Sequence, residues 1–255
     1  MRKFLSRSLT AIALLLAVPA VAQAAEGVAV PKQNWSFGGL FGTFDRAAAQ
    51  RGFQVYKEVC SSCHGAYYLH YRNLQALGFS EAEVKAIAAS YETQDGPNDD
   101  GEMFARPALP SDKFVRPFAN EKAARASNGG AYPPDLSLIA KARPGGADYL
   151  YALLTGYQEP PAGVTLMEGM HYNAYFPGHQ IAMAQPLYPD GVAYADGTPV
   201  TVEQMARDVS TFLAWAAEPE MERRKQMGVS VILFLLVFTG LAYASMRKVW
   251  STVKK

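Results

Sequence analysis

The sequence predicts a mainly α-helical body broken by long loops and followed by one transmembrane helix. Three observations carry that prediction. Apolar residues recur at helical spacing behind the N-capping residues Asp45, Ser80 and Thr201. The stretch from Gln158 to Pro199 is rich in Pro, Gly and Tyr and has no sustained helical period. Met227 to Met246 is a 20-residue run without a charge, long enough to cross the roughly 30 Å core of a bilayer as a helix.

Composition sets the bounds. The chain has 255 residues and is 49% hydrophobic, which permits a buried core and argues against disorder. Its net charge of +1 hides an asymmetry, because basic residues gather at the two ends. From Ala25 to Glu222 there are 14 Lys plus Arg against all 23 Asp plus Glu, a net of −9. An acidic body disfavours nucleic acid and favours a basic partner.

In chain order, Arg2, Lys3 and Arg7 precede an apolar run from Leu9 to Val18 and the small-residue signature Ala22-Gln23-Ala24. This predicts a secretory signal peptide over residues 1–24, since the run is too short to span a bilayer. Trp35 to Gly42, rich in aromatics and glycines, reads as an irregular segment packed on a surface. Asp45 caps a predicted helix that runs through Arg51, Phe53 and Tyr56 to Val59.

That helix presents Cys60-Ser61-Ser62-Cys63-His64 at its end. The C-x-x-C-H spacing suits covalent haem attachment: two thioethers tether the porphyrin, and the adjacent imidazole reaches one axial face of the iron. A zinc half-site would want a second ligand pair, but the chain has no other cysteine, and His70, His171 and His179 show no paired ligand spacing. A thioredoxin-like dithiol would leave His64 unexplained and would follow a strand rather than a helix. The reading is therefore a cytochrome c-like domain holding one haem c, and an export signal agrees with haem attachment outside the cytoplasm.

Downstream, Ser80-Glu81-Ala82-Glu83 is a capping box with Val84, Ile87 and Ala88 as the apolar stripe behind it. Glu92, Asp95, Asp99, Asp100 and Glu102 lie in a stretch without Lys or Arg from Ala86 to Ala105, read as an acidic loop. Pro133-Pro134-Asp135-Leu136 is expected to start a short helix through Ile139 and Ala142, stopped by Pro144-Gly145-Gly146. Asp148 is expected to cap another, with Leu150, Leu153 and Leu154 inward and Gly156 as its stop. Thr201-Val202-Glu203-Gln204 reads as a second capping box, opening a helix up to Pro219 that should pack on the helix before the haem motif. Arg223, Arg224 and Lys225 precede the apolar run, and Arg247, Lys248, Lys254 and Lys255 follow it. With the signal peptide, this sets the body outside and a short tail in the cytoplasm. The predicted division is residues 1–24, a periplasmic haem domain over 25–222, and an anchor over 223–255 that spans 227–246.

A second axial ligand decides whether the iron is closed for electron transfer or open for O₂ or peroxide chemistry. His70 is too near His64 to reach the opposite face. Met205 lies on an apolar stripe, and Met221, Met227 and Met246 lie at or in the membrane segment. Met103, Met167, Met170, Met183, His171 and His179 remain, and spacing puts Met183 first because it shortly precedes the last soluble helix.

The run Asn173-Ala174-Tyr175-Phe176-Pro177-Gly178-His179-Gln180-Ile181-Ala182-Met183-Ala184-Gln185-Pro186-Leu187 resembles the axial-methionine segment of the cytochrome c1 family, the haem c subunits of quinol–cytochrome c reductase (bc1) complexes. Ala124-Arg125-Ala126, Pro133 to Ser137, Leu153 to Tyr157 and Phe212 to Glu220 resemble it too, so the likeness covers essentially the whole mature chain. The resemblance implies Met183 as the sixth ligand opposite His64 and Arg125 as partner of a haem propionate. It implies an electron-carrying subunit, with no acid, base or nucleophile of its own, in a dimeric complex with cytochrome b in the bacterial inner membrane. Such a subunit passes electrons from a Rieske iron–sulfur protein to a basic soluble cytochrome c. The alternative is a membrane-anchored haem enzyme or sensor with an open iron face. Some bacterial relatives brace the ligand loop with an extra cysteine pair; this chain has none, so packing must hold the loop.

Overall fold

The structure, a computed structural model, describes residues 28–253. The predicted signal peptide lies outside the described residues. Seven α-helices and four short strands are present among them: α1 (Arg46–Glu58), α2 (Glu81–Ala89), β1 (Glu92–Asp95), β2 (Phe104–Pro107), α3 (Glu121–Ser127), α4 (Ile139–Ala142), α5 (Ala147–Thr155), β3 (His171–Tyr172), β4 (Gln180–Ile181), α6 (Val202–Ala217) and α7 (Met221–Ser251). The body is mainly α with long loops.

Three helix starts follow directly from capping chemistry. Asp45 accepts from Ala48 N at 3.0 Å and opens α1. Ser80 and Glu83 exchange the two bonds of a capping box at α2, where Val84 and Ala88 are buried. Thr201 accepts from Gln204 N at 3.1 Å and opens α6. The last is not a full capping box: the Gln204 amide instead donates to Asp208 Oδ1 at 3.0 Å. The buried carboxylate four residues on draws the Gln204 side chain forward, away from the Thr201 N–H that a box would have it accept from.

As the pattern predicts, α6 packs on α1. The crossing is close because α1 carries Gly52 there: a Cβ at this position would lie 2.0 Å from the carbonyl oxygen of Asp208. Asp208, fully buried, receives Arg51 Nε at 2.9 Å and Arg51 Nη2 at 3.0 Å, a bidentate pair that welds the two helices. Arg51 reaches Asp196 with Nη1 at 2.8 Å, and the two carboxylates hold its guanidinium above the usual range. Beside the crossing, Phe53 sits 5.6 Å from Phe212 and Tyr56 5.5 Å from it, with Phe114 and Trp215 extending the cluster. Each fully buried ring contributes roughly 1.5–3 kcal/mol.

Three other expectations are corrected. The acidic stretch is a β-hairpin, β1 pairing antiparallel with β2. Asn98 Oδ1 shapes its turn by accepting from Asp100 N and Glu102 N, and Arg106, just past the stretch without bases, pairs with Asp95 and Asp112. Asp148 does not cap α5, whose N-cap is Gly146. Its carboxylate faces the N-terminal segment, accepting from Gln33 N at 3.0 Å and Trp35 Nε1 at 2.7 Å. The helix expected from Pro133 begins only at Ile139, because the preceding residues bond elsewhere.

The predicted span lies inside α7, whose outer residues are exposed throughout 231–250 and which is long and apolar enough to cross a membrane. Its first turn belongs to the body: Glu222 accepts from Phe44 N at 2.7 Å and pairs with Arg46.

Candidate functional site

The site begins where α1 ends. Cys60 to Ser62 forms a single 3₁₀ turn, closed by Cys63 N and His64 N both donating to Cys60 O. The two sulfurs and the imidazole therefore issue from one turn. Burial pushes the Cys60 thiol up to about 12. A raised thiol is the opposite of what a redox nucleophile uses. Among the described residues no three His, Cys, Asp or Glu side chains cluster as metal ligands.

His64 is aimed by a backbone atom from far along the chain. Its Nδ1 lies 2.8 Å from Pro134 O. A carbonyl can only accept, so Nδ1 donates and Nε2 keeps its lone pair free for a metal. Burial lowers the His64 pKa, which also favours the neutral ligand form. The neighbours complete the clamp: Leu136 N donates to Gly65 O at 2.7 Å, Tyr67 N to Asp135 Oδ2 at 2.9 Å, and Tyr68 N to Ser137 Oγ at 3.0 Å. These bonds occupy Pro134 to Ser137 and explain why α4 starts late. Two sulfurs and a free Nε2 fit a covalently tethered haem.

Beside Cys63 is a cavity of about 140 Å³, bordered by Gly65, Arg116, Ala124, Tyr132 and Asp135. Arg125 sits next to it on α3, a helix the sequence reading missed although Asn120 caps it by accepting from Ala123 N. Its guanidinium is half-exposed, pairs with Glu121 and donates to Gly130 O at 2.9 Å. Arg116, also missed, lies 3.7 Å over the Tyr67 ring.

Met183 lies on a separate loop and is half-buried. Of its rivals, Met103 and Met167 are each 61% exposed, and Met205 is sealed in the core. His179 has φ 59, stacks on Tyr172, and directs Nδ1 to Asn173 O. The loop is held by more than packing. Tyr157 OH donates to Met183 O at 3.0 Å, and β3 pairs with β4. Asn173, fully buried, donates from Nδ2 to Leu153 O at 2.8 Å and accepts from Tyr175 N and Phe176 N at Oδ1. Gly156 makes room for this knot, since a Cβ there would meet Tyr175 Cδ2 at 2.6 Å. Asn173→Ala is expected to lower stability by on the order of 3 kcal/mol, because it strands two partly buried amides and a partly buried carbonyl. Chemical denaturation of the holoprotein in detergent measures this, and a loss under about 1 kcal/mol would show the knot to be dispensable.

A sulfur pair on one turn, backed by an imidazole whose Nε2 is free and carried on a helical body, is the site of a c-type haem protein, the class that fold and site define. The model described as Cytochrome C1 family matches residues 35–253. The chain belongs to that family. It is 49% identical to "Cytochrome c1" of Rhodospirillum rubrum over the whole of both chains. It is 50% identical to "Cytochrome c1 1, heme protein, mitochondrial" of Arabidopsis thaliana, across 98% of this chain and 81% of the relative. It is also 50% identical to "Cytochrome b-c1 complex catalytic subunit, mitochondrial" of Candida albicans, across 92% of this chain and 82% of the relative.

Proposed function

We propose that this chain is the haem-bearing electron-transfer subunit of a cytochrome b-c1 complex, anchored in the membrane by α7 beside a cytochrome b partner. The observation that carries the reading is the donation of His64 Nδ1 to Pro134 O inside a C-x-x-C-H turn. It leaves Nε2 of a neutral imidazole available as an iron ligand. Bound haem c supplies a one-electron ferric/ferrous couple. Cys60 and Cys63 would hold it through thioethers, and His64 Nε2 and the Met183 thioether would be its iron ligands. Arg125, half-exposed on its Glu121 contact, would pair with a propionate. Tyr56 OH donates to His64 O at 3.2 Å, and burial holds that phenol protonated well above its ordinary range. The test is a visible spectrum of the purified protein: six-coordinate, low-spin and unchanged by CO. A CO-binding ferrous form would favour the open-faced enzyme or sensor instead.

Charge and topology support the orientation and the basic acceptor, and the family likeness supports the dimer and the donor. Residues 1–24 are a removable signal, the body over 25–222 faces the periplasm, and 223–255 form the anchor and cytoplasmic tail, within a dimeric complex. A Rieske iron–sulfur protein is the donor and a basic soluble cytochrome c the acceptor, steered by the −9 body. In the hairpin, Asp95 is spent on Arg106, whereas Asp99, Asp100 and Glu102 are exposed at the turn. Neutralising those three together should slow reduction of a basic cytochrome c severalfold at low salt and flatten its ionic-strength dependence. An unchanged salt profile would return the turn to plain solubility.

A further inference from the structure

We propose that Leu40 and Phe41 form a second, interfacial membrane contact that seats the haem domain on the bilayer. Phe41 is 81% exposed and Leu40 60%, although both are large apolar residues. They stand at the tip of a rigid turn. Gly38 N bonds Trp35 O at 3.0 Å and Thr43 N bonds Ser36 O at 3.1 Å. The turn is so tight that a Cβ on Gly42 would come within 1.9 Å of Gly38 O. Its other rings point inward, Phe37 lying 5.4 Å from Trp35 and 5.0 Å from Phe44. The tip therefore cannot bury its own apolar surface.

The turn is bound to the start of the apolar helix, and this selects a lipid surface as the occupant. Glu222 holds Phe44 N; Lys225, one turn nearer the membrane, donates Nζ to Phe37 O at 2.8 Å and to Gly42 O at 3.0 Å. Leu40 and Phe41 lie between Phe37 and Gly42, the two residues Lys225 holds, and the uncharged run begins at Met227, two residues past Lys225. Leu and Phe on a fixed turn tied to the start of the apolar helix suit the boundary between headgroups and acyl chains, and the Lys225 charge is satisfied by the two carbonyls of the turn.

The inference rests on the anchor reading of α7, and the test separates the two. In the full-length holoprotein Cys60 and Cys63 carry the haem, so Phe41→Cys introduces a free thiol for a nitroxide spin label. The protein is reconstituted in phosphatidylcholine–phosphatidylglycerol vesicles, with Phe238→Cys as the label in the span and Asp99→Cys as the label in water. The label at position 41 should relax severalfold more with O₂, relative to a nickel chelate, than the label at position 99, approaching the one at position 238. If it matches position 99 while position 238 stays lipid-exposed, the second contact is wrong and the anchor stands. Shielding of position 41 from both reagents would mean a second copy covers the turn, also overturning the proposal. Water access at position 238 would overturn the anchor and the contact together.

Discussion

Replacing Met183 by Leu is expected to leave haem covalently attached while the midpoint potential falls by a sizeable share of the roughly 0.8 V range that axial ligands command. Thioether sulfur stabilises ferrous iron by soft donation, and no leucine atom can do so. The substitution nearly conserves volume, which usually costs under about 1.5 kcal/mol. The loop should also keep its seat, since Tyr157 grips the backbone oxygen of residue 183 rather than its side chain. Redox titration and CO difference spectra read the result: a lowered potential, CO binding to the reduced form, and loss of quinol-driven cytochrome c reduction. A wild-type potential would overturn the assignment. Met170 would then come before Met167, which is 61% exposed, and His179, whose ring is committed to Tyr172 and Asn173 O.

The second large effect is expected from Gly52→Ala. Inside a helix, alanine is normally preferred over glycine by about 1 kcal/mol. Here the added methyl would stand 2.0 Å from Asp208 O, 2.5 Å from Asp208 C and 2.8 Å from Phe212 Cβ. Two of those atoms are backbone, so relief requires moving α6 away from α1. That would strain the Arg51–Asp208 pair, whose carboxylate is fully buried, and breaking such a pair costs about 3–5 kcal/mol. We expect a net loss of about 3 kcal/mol or more, read as a fall of roughly 6–12 °C in the melting temperature in detergent. The haem spectrum should survive below that temperature. A melting temperature within about 2 °C of the parent would mean that the helices separate at little cost.

Much of the site was legible because it is local. C-x-x-C-H is chemistry written in five consecutive residues, and one turn of backbone closes it. The caps at Asp45 and Ser80 are decided three residues away, within reach of a single helical turn. The membrane segment needs only length and the absence of charge. Errors arose where a short polar side chain had a better partner than the nearby helix start. Asp148 stands where a cap is expected, Gln204 in an expected box and Asp135 at an expected helix start, and they bond instead to Trp35, Asp208 and Tyr67 N. The acidic stretch was misread as a loop because the charge that pairs Asp95 sits on the opposite strand of the hairpin.

By itself, then, the sequence determined the C-x-x-C-H motif, the helical class, a C-terminal helix long and apolar enough to cross a membrane, and the family, all carried by residue identity and short-range spacing. Only the tertiary structure decided what aims and braces them. His64 is oriented by the carbonyl of Pro134, 70 residues away, and a backbone oxygen has no side-chain signature to read. Asp208 meets Arg51 across 157 residues, and Asn173 ties the Met183 loop to the end of α5. A buried polar group must find a partner somewhere or lose its hydration free energy. Which partner it finds depends on the path of the whole chain, and that path is set when the core closes.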